Sequence, residues 1–158
     1  MIAIGVNYGG PEQHRSRIRT LLSAAMNAVA DERGEWVGGD DFGPGPSRPS
    51  TGRFFEVGSA PAVNVLFYVP GSLLTYPDLT KIEAARFSRK QKLLLVAVPV
   101  PEEVAKAGGS VEFVIGALRQ AVAIAADVFA QKKVGVFDLA GAEAIIEKVQ
   151  AALAAQAG

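Results

Sequence analysis

One histidine and no cysteine limit the chemistry open to this chain. Thiolate nucleophiles, cysteine-based zinc sites, iron–sulfur ligation and disulfide frameworks are all excluded. A Ser-His-Asp relay would have to use His14. That residue stands in the basic stretch His14-Arg15-Ser16-Arg17-Ile18-Arg19, and no G-x-S-x-G elbow occurs anywhere. An exposed first-turn histidine accounts for it better. Gly71-Ser72 and Gly109-Ser110 read as a turn and a helix cap.

The carboxylates come next. Asp40-Asp41 could hold a divalent cation through hard oxygen ligands, but the pair has no third ligand in view. Asp41-Phe42-Gly43 matches a kinase metal triplet in letters only, since 158 residues are too few for a kinase and no catalytic loop is present. Glu102-Glu103 could act as a general base in a cleft. An acidic first turn of a short helix over Glu102–Lys106 is the simpler account. Gly9-Gly10, with Arg15 and Arg17 nearby, could bind an anion at helix-terminal amides. The stretch lacks both G-x-G-x-x-G and the Walker A lysine. Arginines in a first helical turn oppose the dipole. They either need an acidic neighbour, in this chain or on a partner, or lie on a solvated face. The expectation is no catalytic residue, no metal site and no cofactor.

Charge is more informative than any single residue. Lys+Arg and Asp+Glu both number 16, so the net charge is zero, which argues against a nucleic-acid partner. The balance hides two segments of opposite sign. Residues 31–41 hold Asp31, Glu32, Glu35, Asp40 and Asp41 against Arg33 alone. Residues 81–92 hold Lys81, Arg86, Arg89, Lys90 and Lys92 against Glu83 alone. Either the two segments pair with each other, or one of them faces a charged partner and confers specificity and fast association. Trp36 and Phe42 stand among the acidic residues, and aromatics beside carboxylates on a Gly/Pro loop suit an interaction surface better than a core.

The elements that must position these groups follow from hydrophobic spacing. Ile2–Val6 is a β-branched run and predicts a first strand. Ile18, Leu21, Leu22, Ala25, Met26 and Val29 make one stripe of a helix over about 14–32. In residues 38–52, eleven of fifteen are Gly, Pro, Ser or Thr, and three prolines oppose helix and ladder alike, which predicts a long loop. Arg53–Val57 reads as a strand. Val63–Val69 is a stronger one, with Val63, Val65, Phe67 and Val69 on one face and Asn64, Leu66 and Tyr68 on the other. Pro77–Ile82 suggests a helical turn. Leu93–Val98 is continuously apolar and reads as a central strand. Ser110 can cap a helix carrying Val111, Val114, Ile115, Leu118, Ala121, Val122, Ala125, Val128 and Phe129. Lys132-Lys133 suits its C-terminus. Val134–Phe137 reads as extended, Asp138 as the next cap, and Ile145, Ile146, Val149 and Leu153 as the stripe of a last helix.

With 49% hydrophobic residues, such a chain can build a full core. The expected architecture is one α+β domain over 1–158 with a loop at 38–52. It has a mostly antiparallel sheet, with two long amphipathic helices and a C-terminal helix packed on one face. The N-terminus has no basic region ahead of its short apolar run, and the longest strongly apolar run is Leu93–Val98. This predicts a cytoplasmic protein with no membrane partner.

From Arg86-Phe87-Ser88-Arg89-Lys90-Gln91-Lys92 the chain runs into Leu93–Val98 and Pro99. Ala117-Leu118-Arg119-Gln120-Ala121-Val122 and Phe137-Asp138-Leu139 follow. This succession, over roughly residues 62–153, resembles a family of bacterial immunity proteins of polymorphic toxin systems. The resemblance implies a non-catalytic antidote that binds a cognate toxin domain and covers its active site. It makes Arg86, Arg89, Lys90 and Lys92 features of the fold or of the interface. The residues expected at the partner are Trp36, Asp40, Asp41 and Phe42 of the acidic segment and Arg86, Arg89 and Lys90 of the basic one, and a homodimer is compatible with the sequence. Two alternatives stay open: a small cofactor-free enzyme using carboxylates or His14, and a homo-oligomeric structural protein.

Overall fold

A computed structural model describes residues 4–9, 36–38, 50–53, 61–69, 80–90, 92–106 and 110–157. The protein is α+β. Its strands are β1 (Ile4–Gly9), β2 (Trp36–Gly38), β3 (Ser50–Arg53), β4 (Ala62–Tyr68), β5 (Glu83–Ser88) and β6 (Leu93–Pro99). Three helices follow, α1 (Glu102–Lys106), α2 (Val111–Lys132) and α3 (Leu139–Ala157).

The strands form one mixed sheet in the order β2-β3-β1-β4-β6-β5. β1 with β4 and β4 with β6 run parallel, while the three outer pairings are antiparallel. β4 and β6 are the near-continuous apolar runs of the sequence, and both lie in the interior, as buried parallel strands do. Alternation divides β4 as its sequence requires. Val63, Val65, Phe67 and Val69 join the main core, and Leu66 and Tyr68 join a second cluster with Leu95 and Ala97 on the opposite face. Both faces of the central strands are therefore buried. Asn64 is the buried polar residue among the described ones, and its Oδ1 has no hydrogen-bond partner among them.

α2 lies across β4, β6 and β5, and α3 packs on α2. Ser110 caps α2 as its sequence suggests: its side chain accepts a hydrogen bond from the Phe113 amide at 3.0 Å. Val114, Ile115, Leu118, Ala121, Val122, Ala125 and Phe129 are buried along one stripe, and Val111 and Val128 are half-buried beside them. Each large side chain of this stripe contributes about 1.5–3 kcal/mol by leaving water. By length and composition α2 could also cross a membrane; here its apolar stripe packs into the core. Asp138 caps α3 by accepting from the Gly141 amide at 3.0 Å, and Ile146, Val149 and Leu153 face inward.

Three expectations change. The stretch 38–52 is not loop throughout: Gly38 ends β2 and Ser50, Thr51 and Gly52 belong to β3. Ladder hydrogen bonds come from the backbone, and Pro49 stands just before the strand, so no donor is lost within it. The strand expected over Arg53–Val57 begins earlier, at Ser50, and residues 54–57 lie outside the described residues. Thr80, Lys81 and Ile82 are non-helical and lead into β5, which the apolar pattern does not reveal. The helix expected over 14–32 lies outside the described residues.

Candidate functional site

β5 and β6 form a hairpin, whose turn includes Arg89, Lys90 and Lys92. Lys92 adopts the left-handed conformation, with φ 51°, and its amide donates to the Arg89 carbonyl at 3.4 Å. The Lys92 carbonyl in turn accepts from the Ala62 amide at 3.0 Å, which ties the turn to the start of β4. β5 is the last strand of the sheet, and its register shifts between Ala84 and Arg86. Charge and a bulge on an outer strand both oppose pairing with a second sheet. Ala84, Ala85 and Arg86 are exposed there.

Phe87 ties this hairpin to α2. Its ring meets Phe129 edge-on at 5.5 Å, and Phe129 stacks on Phe137 at 6.0 Å. The Lys132 Nζ lies 5.9 Å from the centroid of the Phe87 ring, within range of a cation–π attraction. Lys133 ends α2 in the left-handed conformation, and its amide donates to the Phe129 carbonyl. Gly135 follows at φ +129°, against Pro61. The C-terminal end of α2 thus comes to the same end of the sheet as the β5–β6 turn.

The consequence is a concentration of positive charge that neither segment has alone. Arg86, Arg89 and Lys90 from the hairpin, with Lys132 and Lys133 from α2, are exposed, and Lys92 is half-buried. Residues 84–92 and 129–134 contain no Asp or Glu. Part of this charge complements the partial negative charge at the end of α2. The rest adds to the potential of the surface.

The other predicted site residues are placed differently. Trp36 opens β2, in register with Arg53 of β3, at the opposite edge of the sheet. Five strand spacings separate β2 from β5, about 24 Å at the usual interval. The described part of the acidic segment, Trp36–Gly38, carries no acidic residue, and Asp31, Glu32 and Glu35 lie outside the described residues. Asp40, Asp41, Phe42 and His14 lie outside the described residues. Glu102 and Glu103 are exposed on α1, where Glu102 accepts Lys106 at 3.5 Å, one helical turn on. That is the acidic first turn expected of a short helix. Among the described residues, no group of three or more His, Asp or Glu gathers as a metal site would require.

Sequence reasoning reads Lys132 and Lys133 as partners of the helix dipole alone, because it cannot show that the hairpin lies beside them. Val136 carries no signal in the sequence, yet it is the exposed large hydrophobic residue among those described, at 87%. Its environment follows from its neighbours: Phe137 turns into the core, which sends Val136 outward. Set against known protein families, curated proteins and solved structures, the chain finds no match.

Proposed function

We propose that this chain is a non-catalytic protein of the immunity type, acting in the cytoplasm, which binds a cognate bacterial toxin domain and neutralises it by covering its active site. The observation that carries the reading is the gathering of six cationic side chains, from two segments distant in sequence, on one end of the fold. A surface of that kind accelerates encounter with an oppositely charged protein and rejects wrong ones. The basic motif on which the resemblance to immunity proteins rests falls on the β5–β6 hairpin. A β-sheet with helices packed against it is a rigid platform, so docking needs little rearrangement and inhibition is steric and electrostatic.

Co-expression tests the proposal. The chain is produced together with each protein encoded next to its gene, and the one whose C-terminal domain kills cells is taken as the toxin; a neighbourhood that encodes none overturns the proposal. Rescue of growth, and a stable complex in which the toxin's activity is blocked, are the expected results. Cells that die equally with and without the chain overturn it.

A further inference from the structure

We propose that the docking face is the basic end itself, with Val136 as its apolar anchor, and that it receives an acidic protein surface carrying a small apolar recess. This rests on the binding reading above and goes further, because it selects the basic edge over the acidic one and names the chemistry of the partner.

A single exposed valine on a protein surface needs no explanation. The position of this one does. It stands three residues beyond Lys133, and the backbone that presents it is held on both sides. On the N-terminal side, Gly135 at φ +129° packs on Pro61, whose chain neighbour Ala62 is hydrogen-bonded to Lys92 in the basic turn. On the C-terminal side, Phe137 is buried and stacked on Phe129. Val136 is therefore presented from a segment anchored to the same core that positions Lys132 and the hairpin. Val136 follows Lys132 and Lys133 in the chain and precedes the exposed Asp138, which caps the last helix, so it is an apolar side chain on a charged end of the fold, an arrangement that suits an interface with a desolvated centre and a polar rim.

The alternative occupant is a polyanion such as nucleic acid. A phosphate backbone is bound by cations and makes no use of an aliphatic anchor. The chain as a whole also carries no excess positive charge. Both features favour an acidic protein.

The experiment uses the full chain, two variants of it, and the toxin domain identified by the co-expression test above. Val136→Asp places a carboxylate where the anchor should enter an acidic, apolar-centred surface. Lys90→Glu with Lys133→Glu reverses two rim charges and leaves Lys132 over Phe87. All three side chains are solvent-facing; Val136→Asp should leave the melting temperature near the parent's, while Lys133→Glu should lower it slightly, because it sets negative charge at the C-terminal end of α2. The expected result is a loss of affinity of about tenfold or more for each variant. The charge variant should lose it mainly through slower association, with a flatter salt dependence, because exposed charges are screened over about 8 Å at physiological ionic strength. If the parent binds and both variants bind within about twofold of it, the docking face lies elsewhere. If the parent itself does not bind the toxin domain, the functional reading fails before the face is tested. A duplex of DNA or RNA is the third arm. Tight duplex binding by the parent, lost in the charge variant and kept in Val136→Asp, would identify a polyanion site and overturn the proposal.

Discussion

At one edge of the sheet, β5 is tied down on two sides. β6 pairs with it along its length, and Phe87 reaches across to Phe129 of α2. At the other edge, β2 is three residues long and among the described residues pairs with β3 alone. Both edges belong to segments rich in charge, one basic and one acidic. The described contacts of the two strands differ. β5 adjoins the end of a 22-residue helix that brings two more lysines, whereas the described contacts of β2 bring it only Arg53 in register. A run of charge becomes an organised surface where a second element of the same sign is packed against it.

The largest effect should come from the core of the helix that β5 packs against. Leu118 is 1% exposed at the centre of α2. Leu118→Asp would bury a carboxylate without a partner, at a cost that exceeds the usual stability of such a domain. Circular dichroism should show no cooperative thermal transition.

Phe129→Ala is the next largest. It removes the ring that both Phe87 and Phe137 touch, and large cavities of this kind cost about 3–5 kcal/mol. Hydrogen exchange should accelerate in β5 and in residues 134–138 more than in β1 and β3. Equal acceleration at both edges would show that β5 is not held through this contact.

Gly135→Ala is smaller. A side chain at φ +129° is strained, and the new Cβ would stand 3.1 Å from the Pro61 ring. A destabilisation of about 1–3 kcal/mol is expected, read from chemical denaturation. A neutral result would mean that the backbone presenting Val136 is free to relax.

Charge reversal in the acidic segment should matter least. Asp40→Lys with Asp41→Lys should leave the melting temperature nearly unchanged and, if the basic end alone docks, shift affinity for the toxin domain by less than about threefold. A loss as large as that of the Lys90 and Lys133 reversals would place both edges in the interface.

Much of the fold was legible in the residues. β4 and β6 were recognisable because an interior parallel strand is apolar on both faces. α2 was recognisable because its stripe keeps a helical period for over four turns, with Ser110 ahead of it. β5 was not, since Glu83-Ala84-Ala85-Arg86 has neither alternation nor β-branched residues, and pairing with β6 makes it a strand. β3 was hidden for a similar reason: Ser50-Thr51-Gly52 looks like loop, and its ladder comes from β1 and β2. The basic residues of the hairpin were plain in the sequence, but their nearness to Lys132 and Lys133 was not.

By itself the sequence determined which groups are available: one histidine, no thiol, balanced charge divided into two opposed segments, and apolar runs of strand and helix period. Those are properties of neighbouring residues, and local geometry follows from them. It takes the packing of distant elements to bring Arg86, Arg89, Lys90 and Lys92 to the same end as residues 132–136 and to set Trp36 at the far edge. That arrangement rests on the Phe87, Phe129 and Phe137 contacts and on strand order, which join residues dozens of positions apart. Periodicity reports which face of an element is apolar, and it carries no record of which other element will cover that face.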